Sequence, residues 1–368
     1  MKIFVLTQDY PKPNSTGGAE LQAQLLAKYL KKRGHETAFL ALIEPEAFKP
    51  DEDVRVVGFD KNAIGLRHAL KKLKEFLATE KPDVLFVRNW QYLYSIFKIA
   101  DSLKIPVVYN TTHIKNCQPF LKENLFFGKN ILAKTKGALV HYLNFRTLNK
   151  IAGIVTINKQ HAQILKDLGM KLILPIYNSM EDNYLTFKKE KKQIVVWVNN
   201  IKRRKNPEIF LEIAEKLKNC GYEFLMIGEM QEERYRSLIE NAQKLNPHIK
   251  YLGPRSVVEV DEILAASEIL VNTCEIEGFG NNHIQAWLAE CPTVVLNFDP
   301  DDIIKNERLG FHSQNFEQLI KDLKFLFANP RIRREMGERA RLYVLQSHQM
   351  EKNVIVYEEF FEKIIAKK

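Results

Sequence analysis

The sequence predicts two doubly wound α/β domains in tandem. Short, wholly apolar runs alternate with amphipathic helical stretches along nearly the whole chain, the pattern of parallel strands with crossover helices. The alternation breaks after Asn178 and restarts at Ile194. The 368 residues are 45% hydrophobic and 27% charged, an ordinary globular composition at a length that suits two domains, each able to bury its own core.

The first series opens with the apolar run Lys2–Thr7. A loop follows that holds Pro11, Pro13, Gly17 and Gly18, and then a helix with Leu21, Leu25, Leu26, Tyr29 and Leu30 on one face, ending near Gly34. Residues 37–42, 84–87, 107–110 and 154–157 read as buried strands with helices between them. Lys188–Lys192 is a charge run that reads either as a linker or as a solvated turn. In the second series, strands are expected at 194–198, 224–227, 249–252, 269–272 and 293–296. Helices are expected from Pro207, marked by Asn206-Pro207, and at 232–245, 261–266 and 283–290. From Phe316 the chain reads as almost wholly helical. The predicted division is a first domain over 1–178, a second over 184–350, and a final helix over 351–368 that packs back on the first.

Several classes are excluded or disfavoured. None of Cys117, Cys220, Cys274 and Cys291 forms a C-x-x-C pair, so neither a disulfide framework nor a zinc site is signalled. The opening apolar run is too short for a secretory signal, and no stretch reaches the ~18–20 apolar residues of a membrane span. The expected place is the cytoplasm, with the inner face of the cell membrane as a working surface. The net charge of +10 is unevenly placed. Residues 1–185 carry 27 Lys and Arg against 17 Asp and Glu, so the first half holds the whole excess. That predicts an acidic partner, such as anionic lipid or a phosphate-bearing acceptor. The interleaved basic and aromatic motifs of nucleic-acid modules are missing, so nucleic acid is not expected. The stretch 120–148 mixes apolar residues with Lys122, Lys129, Lys134 and Lys136. It reads equally as a helix lying on an anionic membrane and as one packed on its own sheet.

The segment Glu275-Ile-Glu277-Gly278-Phe279-Gly280-Asn281-Asn-His-Ile-Gln285-Ala-Trp lies between a strand and a helix of the second half, where a doubly wound sheet binds its ligand. Its glycines clear space around Glu277, its amides at 279–282 can face a phosphate, and Gln285 follows on the first turns of the helix. In the first half, Gly17-Gly18 directly precedes a helix, where backbone can approach an anion. Asp299-Pro300-Asp301-Asp302 could hold a divalent cation but reads better as an ordinary loop.

The 275–287 segment resembles the donor-binding signature of family 4 glycosyltransferases, Glu-Gly-Phe-Gly-Asn with a second Glu after seven intervening residues. Here Gln285 replaces that second Glu. Tyr10-Pro11 with Gly17-Gly18-Ala19-Glu20, the strand end 198–206, and Leu252-Gly253 are similar to further landmarks in the family's order. The resemblance implies a GT-B fold, with two Rossmann-like domains that hold the acceptor and the donor. It implies transfer of a sugar from a nucleotide-diphosphate sugar to a glycan, lipid-linked or cell-envelope acceptor, with retention and without a metal or other cofactor. By the same resemblance, Lys205 binds the donor diphosphate, Glu277 and His113 contact the transferred sugar, and Gln285 contacts the ribose. Gly17, Gly18, Asn200, Gly278, Phe279, Gly280 and Asn281 belong to the donor site. Asn200 stands where the family has Arg, with Arg203 and Arg204 as candidate substitutes. These departures keep two alternatives in view, a catalytically silent binding module and a sugar-nucleotide epimerase of the same architecture.

Overall fold

The computed structural model describes residues 1–8, 18–42, 54–88, 90–119, 131–187 and 190–367, the side chains of 131–134 and 185 excepted. The chain forms two compact units. One takes Met1–Pro11, Ala19–Asn178 and Met350–Lys368, the other Lys12–Gly18 and Ser179–Gln349.

The first unit runs β1 (Lys2–Thr7), α1 (Gly18–Lys32), β2 (Glu36–Ala41), β3 (Arg55–Gly58), α2 (Lys61–Ile64), α3 (Leu66–Glu80), β4 (Val84–Val87), α4 (Leu93–Ser102), β5 (Val107–Thr111), α5 (Ile131–Thr147), β6 (Gly153–Thr156), α6 (Lys159–Asp167) and β7 (Ile173–Pro175). Its seven strands are parallel in the order β3-β2-β1-β4-β5-β6-β7. The central strands β4 and β5 are buried along their whole length, which is why β4 reads as an unbroken apolar run and β5 is apolar up to its polar end, Asn110-Thr111.

The second unit runs β8 (Ile194–Val198), α7 (Pro207–Lys216), β9 (Glu223–Ile227), α8 (Arg236–Leu245), β10 (Ile249–Tyr251), α9 (Val257–Ala266), β11 (Ile269–Asn272), α10 (Asn281–Leu288), β12 (Thr293–Val295), α11 (Ile303–Asn306), β13 (Gly310–His312), α12 (Phe316–Ala328) and α13 (Pro330–Ser347). Six parallel strands lie in the order β10-β9-β8-β11-β12-β13. Gly228, just after β9, has φ of +146°, and a Cβ there would lie 1.9 Å from the Asn199 carbonyl oxygen, so only glycine lets the two strand ends close together.

The last helix, α14 (Met350–Ile365), belongs to the first unit. Tyr357 and Phe361 set their rings edge-on to Phe86 of β4, with centroids 5.8 and 6.0 Å away. Glu358 accepts from Arg33 Nε at 2.6 Å and shares a 2.6 Å hydrogen bond with His35. Burial works against its charge, but these two partners hold its pKa below the usual carboxylate range.

Three expectations change. β3, β7 and β13 are edge strands of three or four residues that the apolar pattern does not reveal. Helix α9 starts four residues earlier than expected, because Ser256 and Glu259 form a reciprocal capping box. Lys191, in the charge run, is neither linker nor solvated turn. Its Nζ donates to the carbonyls of Ser267 and Ala289, both at 2.6 Å, and of Leu264 at 3.3 Å. It thereby neutralises the negative ends of α9 and α10.

Candidate functional site

The order of the second sheet reverses between β8 and β11, so the loops after these two strands flank its topological switch point, where open α/β sheets bind ligands. After β8 the chain makes a short turn, Arg203–Lys205, and Asn206 then takes a left-handed conformation at φ of +46° before Pro207 opens α7. Thr273, just past β11, locks this turn. Its hydroxyl donates to the Lys205 carbonyl at 2.6 Å and accepts from Trp197 Nε1 at 2.9 Å. Asn206 Nδ2 returns a bond to the Thr273 carbonyl at 3.0 Å. The two strand ends are thus stitched together, and Lys205 is aimed by both.

Lys205 Nζ pairs with Glu277 Oε1 in a short, largely buried ion pair. Burial pulls the lysine pKa down, but the neighbouring carboxylate carries it above its ordinary value. Burial would likewise raise Glu277, yet the lysine's charge and hydrogen bond hold it down at about 2. The paired lysine therefore favours the charged form of Glu277. In that form it can hold a hydroxyl or stabilise positive charge.

Behind Glu277 stands a pair that the sequence reading missed. Asn272 Oδ1 accepts from the Cys274 N–H at 2.9 Å, which fixes the amide so that Nδ2 faces the other way. Nδ2 donates to Glu277 Oε2 at 3.3 Å and to His283 Nε2 at 3.1 Å. His283 must then be the neutral Nδ1–H tautomer, and burial keeps it neutral by pushing its pKa down to about 4. Its Nδ1 has no partner among the described residues. Its ring stacks on Trp287 with centroids 5.7 Å apart. A polar residue closing an otherwise apolar strand, and a histidine on the buried face of the next helix, were the available signals. A Cβ at Gly280 would lie 2.3 Å from Asn282 Oδ1 and 3.2 Å from Glu277 Oε2, so a side chain there would displace the Asn282 amide and crowd the carboxylate.

Gln285 is the fifth residue of α10 and is almost buried. Its Nε2 donates to Asp261 Oδ1 at 2.8 Å. Asp261, itself the fifth residue of α9, has no cation beside it among the described residues, and burial pushes its carboxyl up to about 6. This carboxylate was also missed, because nothing in sequence spacing links α9 to α10. Asn200 Oδ1 accepts from the Glu229 N–H at 3.2 Å, while Arg203 and Arg204 are exposed. Phe279 is buried in the second unit against Trp287 and His348. Gly278 and Asn281 lie on either side of Phe279 and Gly280, with Asn281 opening α10.

In the first unit, His113 follows β5 at its carboxyl end and caps the turn Ile114–Cys117, its Nδ1 accepting from the Lys115 N–H at 3.1 Å. Gly18 opens α1, whereas Gly17 lies outside the described residues. Of the basic residues expected to face lipid, Lys122 and Lys129 lie outside the described residues, as does the side chain of Lys134. Lys136 is exposed on α5 near exposed Leu139 and Tyr142. Potential ligand atoms of Asp299, Asp302 and His312 lie within 4.8 Å of one another. Both Asp299 oxygens accept backbone bonds, from Ile304 at 2.9 Å and Lys305 at 3.0 Å, which gives this residue a structural task. Among the described residues, no helix is long and apolar enough to cross a membrane.

The family described as glycosyl transferases group 1 matches residues 184–343, and the family described as glycosyltransferase family 4 matches residues 16–182. An uncharacterized glycosyltransferase of Haemophilus influenzae is 23% identical over 342 residues, spanning 89% of this chain and 92% of its own. HepE of Anabaena, solved in complex with UDP and glucose, superposes with a TM-score of 0.75 at 16% identity, over 99% of this chain and all of its own. Sucrose-phosphate synthase from Thermosynechococcus elongatus superposes with a TM-score of 0.79 at 13% identity over the whole of both chains. These two likenesses establish the fold.

Proposed function

We propose that this chain, which belongs to glycosyltransferase family 4 and has the GT-B fold, transfers a sugar with retention from a nucleotide-diphosphate sugar to a glycan, lipid-linked or cell-envelope acceptor. The observation that carries the reading is the Lys205–Glu277 ion pair at the switch point of the second sheet. A diphosphate arriving there competes for the Lys205 ammonium, which then neutralises charge on the leaving nucleotide. Glu277, freed on one oxygen, accepts from a hydroxyl of the transferred sugar. Gln285 and the Asp261 behind it meet the ribose. The bond from the anomeric carbon to the phosphate oxygen breaks, the acceptor oxygen takes its place on the same face, and the acceptor's proton leaves with the diphosphate. His113 contacts the sugar from the first unit, and Gly17 and Gly18 offer amides to the diphosphate. No metal takes part in this scheme, because Lys205 and backbone amides supply the positive charge. The protein works in the cytoplasm, at the inner face of the membrane, where the basic first half meets anionic lipid.

The HepE complexes with UDP and with UDP-glucose favour a uridine nucleotide. A thermal-shift screen against UDP-, GDP- and ADP-sugars, followed by an assay for released nucleotide, tests the reading. One nucleotide-sugar should stabilise the protein and be turned over. A second reading, a silent binding module, is favoured by the two departures Asn200 and Gln285, whose side chains are both engaged within the protein. Binding without any turnover, on every sugar and acceptor tried, would decide for it.

A further inference from the structure

The first unit has a switch point of its own, and the cation that stands at it pairs with no carboxylate among the described residues. In the order β3-β2-β1-β4-β5-β6-β7 the chain reverses between β1 and β4, and such sheets take ligands outside the carboxyl ends of the flanking strands. Arg88 is the residue immediately after β4. Its backbone N–H is tied to the Leu6 carbonyl of β1 at 2.8 Å, which fixes where its side chain starts.

Among the described residues the guanidinium makes one hydrogen bond, from Nη2 to Asn178 Oδ1 at 3.3 Å. Its Nε is shut off from solvent and has no partner among the described residues. It enters no ion pair with a described carboxylate. Glu20, on the first turn of α1, contributes only a longer-range field, and Tyr109 and Tyr357 are its other polar neighbours. Burial lowers its pKa. Two other largely buried arginines are answered. Arg333 meets Glu268 at 2.7 Å and Arg341 meets Asp182 at 2.7 Å. Removing a charge from water without a partner costs several kcal/mol. The planar fork of an arginine matches a phosphate, with two parallel hydrogen bonds.

We propose that Arg88 anchors an oxyanion site at the carboxyl edge of the first unit's sheet, and that the acceptor carries a phosphate group which binds there. The assignment to the acceptor rests on the reading of the first unit as the acceptor side. The anion site itself does not. The excess positive charge of the first half draws such an acceptor in.

The test removes the donor-side phosphate contact first. Protein carrying Lys205→Ala is titrated with pyrophosphate by calorimetry at fixed ionic strength, and saturable binding is expected. Adding Arg88→Gln should weaken it by about tenfold or more, and Arg88→Lys, which keeps the charge and loses the fork, should fall between. Unchanged pyrophosphate affinity in both Arg88 variants, or no binding in the Lys205→Ala protein, overturns the proposal. If Arg88→Gln does not fold, Arg88→Lys decides alone. Farnesyl diphosphate in place of pyrophosphate separates the sources. Tighter binding indicates a lipid-linked phosphate, equal binding a soluble one, and either supports the site. Wild-type protein that binds pyrophosphate at Arg88 but no nucleotide-sugar would sink the glycosyl-transfer reading and leave the anion site standing.

Discussion

At the scale of the residue, the chemistry concentrates in a buried charge pair and the amides that hold it. Lys205 and Glu277 are matched, so removing one strands the other. Lys205→Ala should cut turnover by roughly 2.7–4 kcal/mol of transition-state stabilisation, judged from a lost oxyanion donor. Glu277→Gln, which keeps the hydrogen bond from Asn272 and loses the charge, should lower kcat more than it changes KM. Steady-state kinetics on the nucleotide-sugar that the screen identifies checks both. Undiminished turnover in Lys205→Ala would remove that lysine from the reaction. Gln285 illustrates a departure that a motif alone misjudges. Restoring a glutamate there would set a carboxylate against Asp261, where the amide now donates at 2.8 Å. Gln285→Glu alone should therefore weaken donor binding, and Asp261→Asn in the same protein should recover it, read as donor KM. Asp261 also carries a pH signature. Its folded pKa of about 6 lies above the ordinary 3.8, so between those values the folded state holds more protons than the unfolded one. Its contribution to stability is then most favourable at low pH and declines as pH rises through that window. Asp261→Asn should flatten the dependence of the denaturation midpoint between pH 4 and 6, and an unchanged profile would show that the carboxyl titrates normally.

At the scale of the element, the strand ends and helix starts that build the site were legible, and the edges were not. Ile194–Val198 and Ile269–Asn272 are buried on both faces, so the first is an unbroken apolar run and the second is apolar up to its closing Asn272, and both have matching bounds in sequence and structure. The edge strand Arg55–Gly58 has no fully buried residue, so it carries no comparable signal. The start of α9 was written in Ser256-Val-Val-Glu259, a capping signal that the apolar spacing from Asp261 onward obscured. Nothing local links Asn272 to His283, Asp261 to Gln285, or Arg88 to Asn178. Those contacts exist only once β-strands and helices are laid side by side. Helix α14 shows what a distant element contributes. Val354, Tyr357, Phe360, Phe361 and Ile364 are all buried in the first unit, 170 residues or more beyond its last strand. Phe361 is fully buried against Phe86. Phe361→Ala should cost ~3–5 kcal/mol, a large share of the stability of an ordinary domain. Urea denaturation checks this. A loss under ~1 kcal/mol would mean that α14 is held elsewhere.

At the scale of the whole molecule, two units with separate cores imply two cooperative transitions rather than one. Phe4, Leu85 and Tyr109 belong to one core, and Trp197, Phe210 and Phe224 to another. A ligand stabilises the state it binds, by ~2.7 kcal/mol at a concentration of 100 times its dissociation constant. The nucleotide is expected on the second unit, and the oxyanion at Arg88 on the first. Calorimetric scans should therefore resolve two transitions, with the nucleotide shifting one and pyrophosphate, in the Lys205→Ala protein, shifting the other. Phe361→Ala identifies the first unit's transition, because it should lower only that one. Restoring Lys205 should let pyrophosphate raise both, since the donor site then takes it as well. If the nucleotide and pyrophosphate instead move the same transition in the Lys205→Ala, Phe361→Ala protein, the two anion sites do not lie on separate units, and the division of donor and acceptor between them would have to be redrawn.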